Sequence, residues 1–474
     1  MGSTSYVAHS ADDLGEMLAA VRASSVDELF AEVPEEVRLR EPLALPAGLS
    51  EAEVVAELRR LAGKDMPASQ LVSFLGAGVY DHYVPAVVDA VISRGEFLTA
   101  YTPYQPERSQ GVLQTIFEFQ TAICELTGMD VSNASMYDAG TALAEASILA
   151  GVQTRRGEVV LSAGVHPEYR QVLETESAGY GPRPRTVGLK TGAATDVDAL
   201  AAAVGDGTAA VVVQQPNFFG ALEDLPAVAE LAHAAGALLI VVADPVSLGV
   251  LEAPGRLGAD VVVGEGQALG NAMDFGGPGL GYMAVTTRLM RRIPGRLVGE
   301  TVDLEGRRGY VLTLQTREQH IRREKATSNI CSNHALNALA TLVYLSWLGK
   351  EGLPELGLHC ARKAAYLRGR LLALRGVAAF TEGPVFREFA VRLPQPAAGV
   401  VAALVPQGYL AGVPLSRFAG RFDGLLSGEG GDAASAALDD VVLLAVTEKR
   451  TKAELDGFAD ALGRHLATGE VDRG

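Results

Sequence analysis

The sequence contains few lysines, and between Lys190 and Lys325 it contains none. A gap of this length excludes from that part of the chain any covalent chemistry that begins with an amine, such as formation of a Schiff base. Cysteine is also scarce, because only Cys124, Cys331 and Cys360 are present and none of them belongs to a CxxC pair. A disulfide framework and a cysteine-based zinc site therefore have no support.

Long apolar runs, metal motifs and an excess of basic residues are missing as well. No run of about 18 apolar residues is present, and residues 1–9 lack the basic and apolar regions of a secretory signal. The histidines show no HxH or HExxH spacing, and there is no GxSxG motif. The net charge of −17 disfavours phosphate backbones and anionic lipids. We therefore expect no metal, no nucleic-acid partner, no membrane partner and a cytoplasmic location.

The middle of the chain has the pattern of an α/β domain. Short runs rich in Val, Ile, Leu and Ala alternate with helical patterns, which predicts a mostly parallel sheet covered on both faces. The predicted strands are 158–163, 209–214, 237–243, 259–264 and 281–285, and the predicted helices are 111–127, 141–155, 167–178 and 225–235. Ligands of such sheets bind at the carboxyl ends of the strands.

The two ends of the chain have different patterns. Near the N-terminus, Ser10, Ser25 and Ser50 each begin a possible capping box, and prolines separate the predicted short helices. Beyond about residue 332 a long helix precedes strand candidates at 386–392, 409–414 and 441–446, and a capping box at Thr451 begins a final helix. The sequence thus predicts a helical arm (1–70), a large α/β domain (71–330) and a smaller α+β domain (331–474).

Several polar residues stand at predicted strand ends or helix starts. Asp138, Gly140 and Thr141 begin a helix, where they could bind a phosphate or form an ordinary N-cap. His166 follows a strand and could stack on a cofactor ring or lie in a loop. Asp244 follows six apolar residues, where it could hold a protonated ring nitrogen or cap the turn before Pro245.

This layout is that of a pyridoxal-phosphate enzyme, in which a lysine at a strand end holds the cofactor as a Schiff base. The segment where that lysine is expected, residues 263–270, reads VGEGQALG and lies in the lysine-free stretch. Lys325 lies beyond the predicted strands in a highly charged segment and is a poor substitute. The pattern therefore predicts a scaffold without its covalent anchor, which indicates a subunit that works with a catalytic partner.

Residues 315–329 combine basic side chains with Thr327, Ser328 and Asn329, just ahead of the long helix. Such a segment could bind an anion or form a solvated surface helix. The glycine-rich residues 274–281 lack the GxxxxGK[ST] pattern of a nucleotide-binding loop.

Four segments resemble the glycine cleavage system P-protein family. They are residues 74–85 (FLGAGVYDHYVP), 101–107 (YTPYQPE), 214–220 (QQPNFFG) and 322–331 (RREKATSNIC). The similarity extends from about residue 10 to the C-terminus. It is strongest to the alpha subunit of the two-subunit bacterial form.

The resemblance implies a fold similar to aspartate aminotransferase and a role in a pyridoxal-phosphate-dependent glycine dehydrogenase (decarboxylating). That enzyme removes CO2 from glycine and passes the aminomethyl group to the lipoyl arm of the H-protein. The covalent lysine belongs to the beta subunit, so no catalytic residue is expected in this chain, and an α2β2 assembly is implied.

The resemblance also implies roles for particular residues. We expect one edge of the substrate cleft to be formed by Tyr101, Tyr104 and Gln105. We expect contact with the phosphate of the partner-held cofactor from Thr327, Ser328 and Asn329. The positions of a former cofactor site within this chain, expected to be vestigial, are Asp138, Gly140, Thr141, His166 and Asp244.

Three alternatives remain open at this point. Departures from the family pattern at residues 271–274 and at Gly279 leave the amino-acid substrate undecided. The chain could also be a self-sufficient enzyme that uses another lysine, or a non-catalytic scaffold.

Overall fold

The computed structural model describes residues 9–39, 41, 43–319, 321–326, 328–426 and 438–468. The chain divides into two compact units, Met1–Met66 and Pro67–Gly474. The described part of the first unit contains helices α1 (Ala11–Ala20) and α2 (Glu51–Ala62), and none of its described residues is buried. The capping boxes at Ser10 and Ser50 are both formed, whereas Ser25 lies before a single 3-10 turn, Asp27–Phe30.

The second unit contains the remaining described strands and helices. Its strands are β1 (Val72–Ser73), β2 (Val131–Ser132), β3 (Glu158–Ser162), β4 (Arg183–Val187), β5 (Thr208–Gln215), β6 (Leu238–Ala243), β7 (Val261–Glu265), β8 (Gly281–Val285), β9 (Leu297–Val302), β10 (Arg308–Thr313), β11 (Ala378–Ala379), β12 (Glu388–Arg392), β13 (Tyr409–Leu410), β14 (Val413–Pro414) and β15 (Val441–Ala445). Its helices are α3 (Ala86–Ile92), α4 (Gly95–Leu98), α5 (Gln110–Thr127), α6 (Ala139–Thr154), α7 (Pro167–Gly179), α8 (Val197–Ala203), α9 (Leu225–Ala234), α10 (Ala335–Leu372), α11 (Ala397–Leu404) and α12 (Lys452–Thr468).

A seven-stranded sheet in the order β2-β8-β7-β6-β5-β3-β4 forms the centre of this unit. The strands β3 to β7 are parallel to one another, and β8 is antiparallel to both β7 and β2. One face packs on α6 and α7, and the other packs on α5, α8 and α9. The predicted α/β class with a mostly parallel, doubly covered sheet is confirmed.

Strand β4 was absent from the sequence prediction for a physical reason. It lies at the edge of the sheet, and its residues alternate between exposed and partly buried positions. An edge strand needs neither a continuous apolar run nor the amide hydrogen that Pro184 lacks. The hairpin of β9 and β10, which is exposed along much of its length, escaped prediction for the same reason.

The C-terminal part of the chain forms a four-stranded sheet in the order β11-β12-β15-β14. The predicted strand at 409–414 is two short strands instead, because Gly412 has a φ of +95° between them. Helix α10 is interrupted at Gly349, whose φ is +65°. Strand β1 pairs with β13, which ties residues 72–73 to the C-terminal region. The three predicted domains, 1–70, 71–330 and 331–474, stay predictions.

Among the described helices, none combines the length and apolar character that crossing a bilayer requires.

Candidate functional site

A pocket lies at the carboxyl ends of β3, β5, β6 and β7, and we call it the strand-end pocket. Its volume is about 40 Å³. The described residues that line it include Tyr80, His166, Asp244, Glu265, Arg387 and Glu388, and none of the described lining residues is a lysine. A volume of this size has room for a few water molecules, whereas pockets for organic ligands usually measure about 300–1,000 Å³.

The N-terminus of α6 borders this region. Asp138 Oδ1 accepts a hydrogen bond from the Thr141 backbone N–H at 2.8 Å, and the Thr141 hydroxyl oxygen accepts one from the Asp138 N–H at 3.3 Å. The two residues therefore form a capping box, which is the ordinary alternative that the sequence left open. Gly140 lies against α7, because an added Cβ would lie 3.1 Å from Val172 Cγ2.

The carboxylate of Glu265, at the end of β7, lies against the same helix terminus. Its Oε2 accepts a hydrogen bond from Ala139 N–H at 3.2 Å, and its Oε1 accepts from Leu280 N–H at 2.8 Å and Gln267 N–H at 3.1 Å. Burial raises the pKa of Glu265, and these backbone N–H groups oppose the rise. The position where a helix dipole favours an anion is thus occupied by a side chain of the same chain.

A second cavity, of about 240 Å³, adjoins this terminus. It is lined by Asp138, Glu168 and Glu265 together with the glycine-rich loop, and none of its described lining residues is Lys or Arg. Glu168 is paired with Arg417 at 4.0 Å, but no cation among the described lining residues faces the carboxylates of Asp138 and Glu265, which would repel a phosphate.

His166 is buried and held by neighbours on both ring nitrogens. Its Nε2–H donates to Ala77 O at 2.9 Å, and its Nδ1 accepts from Glu168 N–H at 3.1 Å. Burial lowers the pKa of His166 to about 4, so the ring is neutral. The ring stacks on Tyr169 at 4.4 Å, and the Phe218 ring stands perpendicular to it at 4.8 Å. The aromatic partners of this imidazole are therefore residues of its own chain.

Asp244, directly after β6, is paired with a buried arginine. Its Oδ2 lies 2.7 Å from Arg387 Nη2, and the two side chains are 15% and 2% exposed. The Arg387 guanidinium lies 3.4 Å from the centre of the Tyr80 ring and donates to Nε2 of His82. The carboxylate of Asp244, which could hold the protonated ring nitrogen of a cofactor, is therefore already paired with an arginine of the same chain.

Glu388 follows Arg387 and is also enclosed. It accepts hydrogen bonds from the Tyr80 hydroxyl and the Ala77 N–H, both at 2.7 Å. Burial raises the pKa of Glu388 to about 7, although these hydrogen bonds and the charge of Arg387 oppose the rise.

Gln267 stands in the segment where a cofactor-binding lysine is expected. Its Oε1 accepts from the Tyr80 N–H at 3.0 Å, and its Nε2 donates to Tyr80 O at 3.3 Å and Asn271 O at 2.9 Å. The Gln267 amide therefore fixes the backbone of Tyr80, and the ring of Tyr80 packs against the Arg387 guanidinium. With only about 40 Å³ of space in the pocket, Asp244 paired and the α6 terminus occupied, the residues present do not fit pyridoxal phosphate.

A larger cleft lies beside the start of α10, and we call it the α10 cleft. Its volume is about 320 Å³. Its lining includes Tyr101, Asn333, His334 and Asn337 together with apolar residues of α4 and α5. Tyr101 is 86% exposed. His334 Nδ1 lies 2.6 Å from Gly279 O, so this nitrogen donates the proton and Nε2 is the acceptor.

The other predicted cleft residues lie close to Tyr101 in sequence but differ in their contacts. The Tyr104 hydroxyl accepts from Arg296 Nη2 at 3.2 Å, and the Arg296 guanidinium lies 5.6 Å from the Tyr104 ring centre. Gln105 is exposed before a 3-10 turn. Of the three predicted residues, only Tyr101 lines the α10 cleft.

The segment before α10 was predicted to bind an anion. The Ser328 hydroxyl oxygen accepts from Ile330 N–H at 3.0 Å, and Asn329 Oδ1 accepts from Gln319 Nε2 at 2.6 Å. Asn329 Nδ2 also donates to the Tyr180 hydroxyl at 3.4 Å. Thr327 lies outside the described residues. Neither Ser328 nor Asn329 lines the α10 cleft, so their predicted contact with a partner-held phosphate stays a prediction.

Sequence reasoning missed Glu265 and Arg387. Glu265 ends the apolar strand β7 just as Asp244 follows β6, so the rule that a charge after an apolar strand needs a partner applied to both. Arg387 stands at the start of a predicted strand beside Glu388, and an adjacent opposite pair in sequence does not reveal a buried partner elsewhere in the chain.

Comparisons with known proteins agree on one family. The sequence profile of the glycine cleavage system P-protein matches residues 4–403. The chain is 51% identical over 459 residues to the probable glycine dehydrogenase (decarboxylating) subunit 1 of Carboxydothermus hydrogenoformans, covering 97% of this chain and 99% of that protein. It is 52% identical over 458 residues to the protein of the same description from Geobacillus thermodenitrificans, covering 97% and 98%.

Solved structures give the same result. The crystal structure of a glycine decarboxylase (P-protein) of the glycine cleavage system, in inhibitor-bound form, matches with a TM-score of 0.86 at 48% identity, over 97% of this chain and all of that one. A glutamate decarboxylase of Lactobacillus brevis matches with a TM-score of 0.66 at 14% identity, which shows the fold alone. The predicted aspartate-aminotransferase-like class is confirmed, and the chain belongs to the glycine cleavage system P-protein family.

Proposed function

We propose that this chain is the alpha subunit of a two-subunit, pyridoxal-phosphate-dependent glycine decarboxylase of α2β2 composition, in which a lysine of the beta subunit holds the cofactor. The reaction removes CO2 from glycine and passes the aminomethyl group to the lipoyl arm of the H-protein. The proposal includes the cytoplasmic location expected from the sequence. One observation carries it: residues 263–270, the segment where the cofactor-binding lysine is expected, contain no lysine.

The relatives support the division of labour, because those at about half identity are named subunit 1 of glycine dehydrogenase. Pyridoxal phosphate supplies, when bound to the partner, the electron sink that lets CO2 leave. The task left to this chain is to complete the walls of a shared site and to exclude water from it.

We assign that task to the α10 cleft and its rim. Tyr101 presents an exposed hydroxyl, and Asn333, His334 and Asn337 bring amide and imidazole groups to the same cleft. The Asn337 amide donates to Gly279 O at 3.0 Å and the Asn333 amide donates to Ser135 Oγ at 3.0 Å, so both side chains are oriented before any ligand binds. Such preorganised groups can bind and orient a small amino acid without reorganisation.

The remaining predicted residues keep their proposed roles. Tyr104 and Gln105 would form the edge of the cleft, and Thr327, Ser328 and Asn329 would reach the phosphate held by the partner. Asp138, Gly140, Thr141, His166 and Asp244 are former cofactor positions with structural contacts in this chain.

The test is reconstitution with a beta-type partner. The complex should exchange CO2 with the carboxyl group of glycine in the presence of lipoylated H-protein, and neither subunit alone should do so. After borohydride reduction, peptide mass spectrometry should find the pyridoxyl group on a lysine of the partner. A pyridoxyl lysine in this chain would contradict the proposal, and exchange with another amino acid in place of glycine would correct the substrate.

A second experiment separates a shared site from a scaffold. Tyr101→Phe and Asn329→Ala should lower kcat of the reconstituted complex if this chain forms part of the site. Tyr83→Phe is a matched control, because Tyr83 is 55% exposed and does not line the α10 cleft. Unchanged turnover in the test variants would favour a non-catalytic scaffold.

A further inference from the structure

The strand-end pocket contains a chain of paired buried groups that the proposed function does not use. Arg387 contacts Asp244, Tyr80 and His82, and His82 Nδ1 lies 2.6 Å from Glu448 Oε2. Because arginine is always a donor, the Nε2 atom of His82 must accept from Arg387 and the ring proton must lie on Nδ1, facing Glu448. The proton positions in this cluster therefore follow from the permanent charge of one guanidinium.

The charges of this cluster match those of the missing cofactor. A pyridoxal-phosphate site offers a carboxylate to a cationic ring nitrogen and a helix N-terminus to a phosphate. Here the carboxylate, Asp244, faces the cationic Arg387, and the helix N-terminus at Ala139 faces the anionic Glu265. An unpaired buried charge would be costly, so a chain that lost the cofactor needs replacements of the same sign at both positions.

We propose that Arg387 and Glu265 are internal replacements for the cofactor, so that the strand-end pocket has become a structural ion-pair site. Arg387 immediately precedes β12 and Asp244 immediately follows β6, so the guanidinium links the end of the C-terminal sheet to the end of the central sheet. This is the place where, in a cofactor-binding relative, a ligand would lie between the two.

The inference is independent of where the partner keeps its cofactor. It concerns the stability of this chain, whereas the proposed function concerns turnover and the site of the pyridoxyl lysine. A complex that failed to decarboxylate glycine would leave the ion-pair site untouched.

A double-mutant cycle in the full chain, within the reconstituted complex, tests the pairing. Arg387→Met leaves Asp244 buried and unpaired, so it should lower the Tm of this subunit more than the double variant Arg387→Met/Asp244→Asn does. The matched control is Arg392→Met with Asp440→Asn, a partly exposed ion pair on the same strand, where the two changes should be nearly additive. An additive result at Arg387 and Asp244 would overturn the proposal.

A ligand experiment covers the case in which Arg387→Met fails to fold. Arg387→Ala leaves a guanidinium-sized space in front of Asp244, so millimolar methylguanidinium chloride should raise its Tm in a saturable way, with sodium chloride as the salt control. The wild-type chain should show no saturable rise. Absence of rescue in Arg387→Ala would count against the proposal.

The third measurement asks whether the pocket still takes a cofactor. Pyridoxine 5′-phosphate, which lacks the aldehyde and cannot react with lysines, is titrated into the holo complex, where the site of the partner is already filled. We expect no binding by isothermal titration calorimetry. One equivalent bound per copy of this chain and lost in Asp244→Asn would show that the pocket remains a cofactor site and would overturn the inference.

Discussion

The strand-end pocket and the α10 cleft differ in how far their polar groups are satisfied by the chain itself. In the pocket Asp244, Glu265 and Glu388 all have internal partners, and the space left is about 40 Å³. In the cleft, by contrast, Tyr101 is 86% exposed and the space is about 320 Å³. The carboxylates of the pocket are paired within the chain, whereas the cleft exposes Tyr101 to a ligand or partner.

This difference is what the proposed division of labour between this chain and a partner would require. Closing a polar pocket requires that each buried charge find a partner, which explains the cluster around Arg387. Under the proposed function, the α10 cleft would remain open in the isolated chain because the partner supplies its other wall. The same fold therefore contains a small pocket with internally paired charges and a larger cleft whose polar side chains are already oriented.

The largest expected effect tests how tightly the pocket region is packed. Gly220 has a φ of +87°, and a Cβ added there would lie 2.6 Å from the backbone carbonyl carbon of Glu388. Gly220→Ala should therefore lower the free energy of unfolding by about 3 kcal/mol or more, measured by denaturant titration. Gly383→Ala is the control, because Gly383 has a φ of +73° and open space around it, so only the backbone strain of about 1–2 kcal/mol applies. Equal losses would mean that the region near Glu388 is loosely packed.

The next effect is a pH dependence that originates in the pocket. Burial raises the pKa of Glu388 to about 7, so the folded chain binds a proton there that the unfolded chain releases near its ordinary value of 4.5. Stability from this group is therefore fully present below about pH 4.5 and is lost as the pH rises through 7, by about 3 kcal/mol in total. The neighbours of Glu388 in the pocket, Asp244, Arg387 and Tyr80, are the same in the wild type and in the Glu388→Gln variant, so their effects cancel in the comparison. The unfolding free energy of the wild type minus that of Glu388→Gln should fall between pH 5 and 8, and a flat difference would contradict the assignment.

In the α10 cleft the expected effect is on turnover rather than stability. Tyr101→Phe should reduce kcat of the reconstituted complex about tenfold, which corresponds to about 1.4 kcal/mol of lost transition-state stabilisation. The unfolding free energy should change by less than about 0.5 kcal/mol, since the side chain is exposed in the isolated chain. A large loss of stability with unchanged kcat would reverse the comparison between the two sites.

The smallest effect uses the cysteines as probes of the two regions. Cys331, just before α10, is exposed, whereas Cys360 is buried near Glu448, where burial raises the pKa of its thiol to about 12. In the isolated chain a disulfide reagent should label Cys331 quickly and Cys360 only on unfolding. Addition of the beta-type partner should slow labelling of Cys331 if this region faces the partner. Cys331→Ser identifies the fast site and should leave stability nearly unchanged.

The sequence predicted the central sheet well because its inner strands carry a signal of their own. Strands β5, β6 and β7 are buried on both faces, so their apolar runs are continuous and their ends were placed within about two residues. The edge strand β4 and the hairpin of β9 and β10 are partly exposed, and their residues carry no such run. The local sequence pattern therefore identifies strands that are buried on both faces and misses partly exposed edge strands.

For the site, the sequence identified which residues stand at strand ends and helix starts but not what they contact. Asp138, His166 and Asp244 were found from local position alone. The partner of Asp244 is 143 positions away in the chain, and no local rule connects Asp244 with Arg387. The sequence showed that residues 263–270 contain no lysine, whereas the hydrogen bonds of Gln267 to Tyr80 required the folded structure.

The guanidinium of Arg387 also bears on how the complex is made in the cell. An enzyme whose core closes around a vitamin-derived ligand depends on the supply of that vitamin to complete its folding. A chain whose buried aspartate is already paired with its own arginine can fold when that ligand is scarce and bind its partner later. Under the proposed function, vitamin B6 would then be required by the partner subunit and not for the folding of this chain.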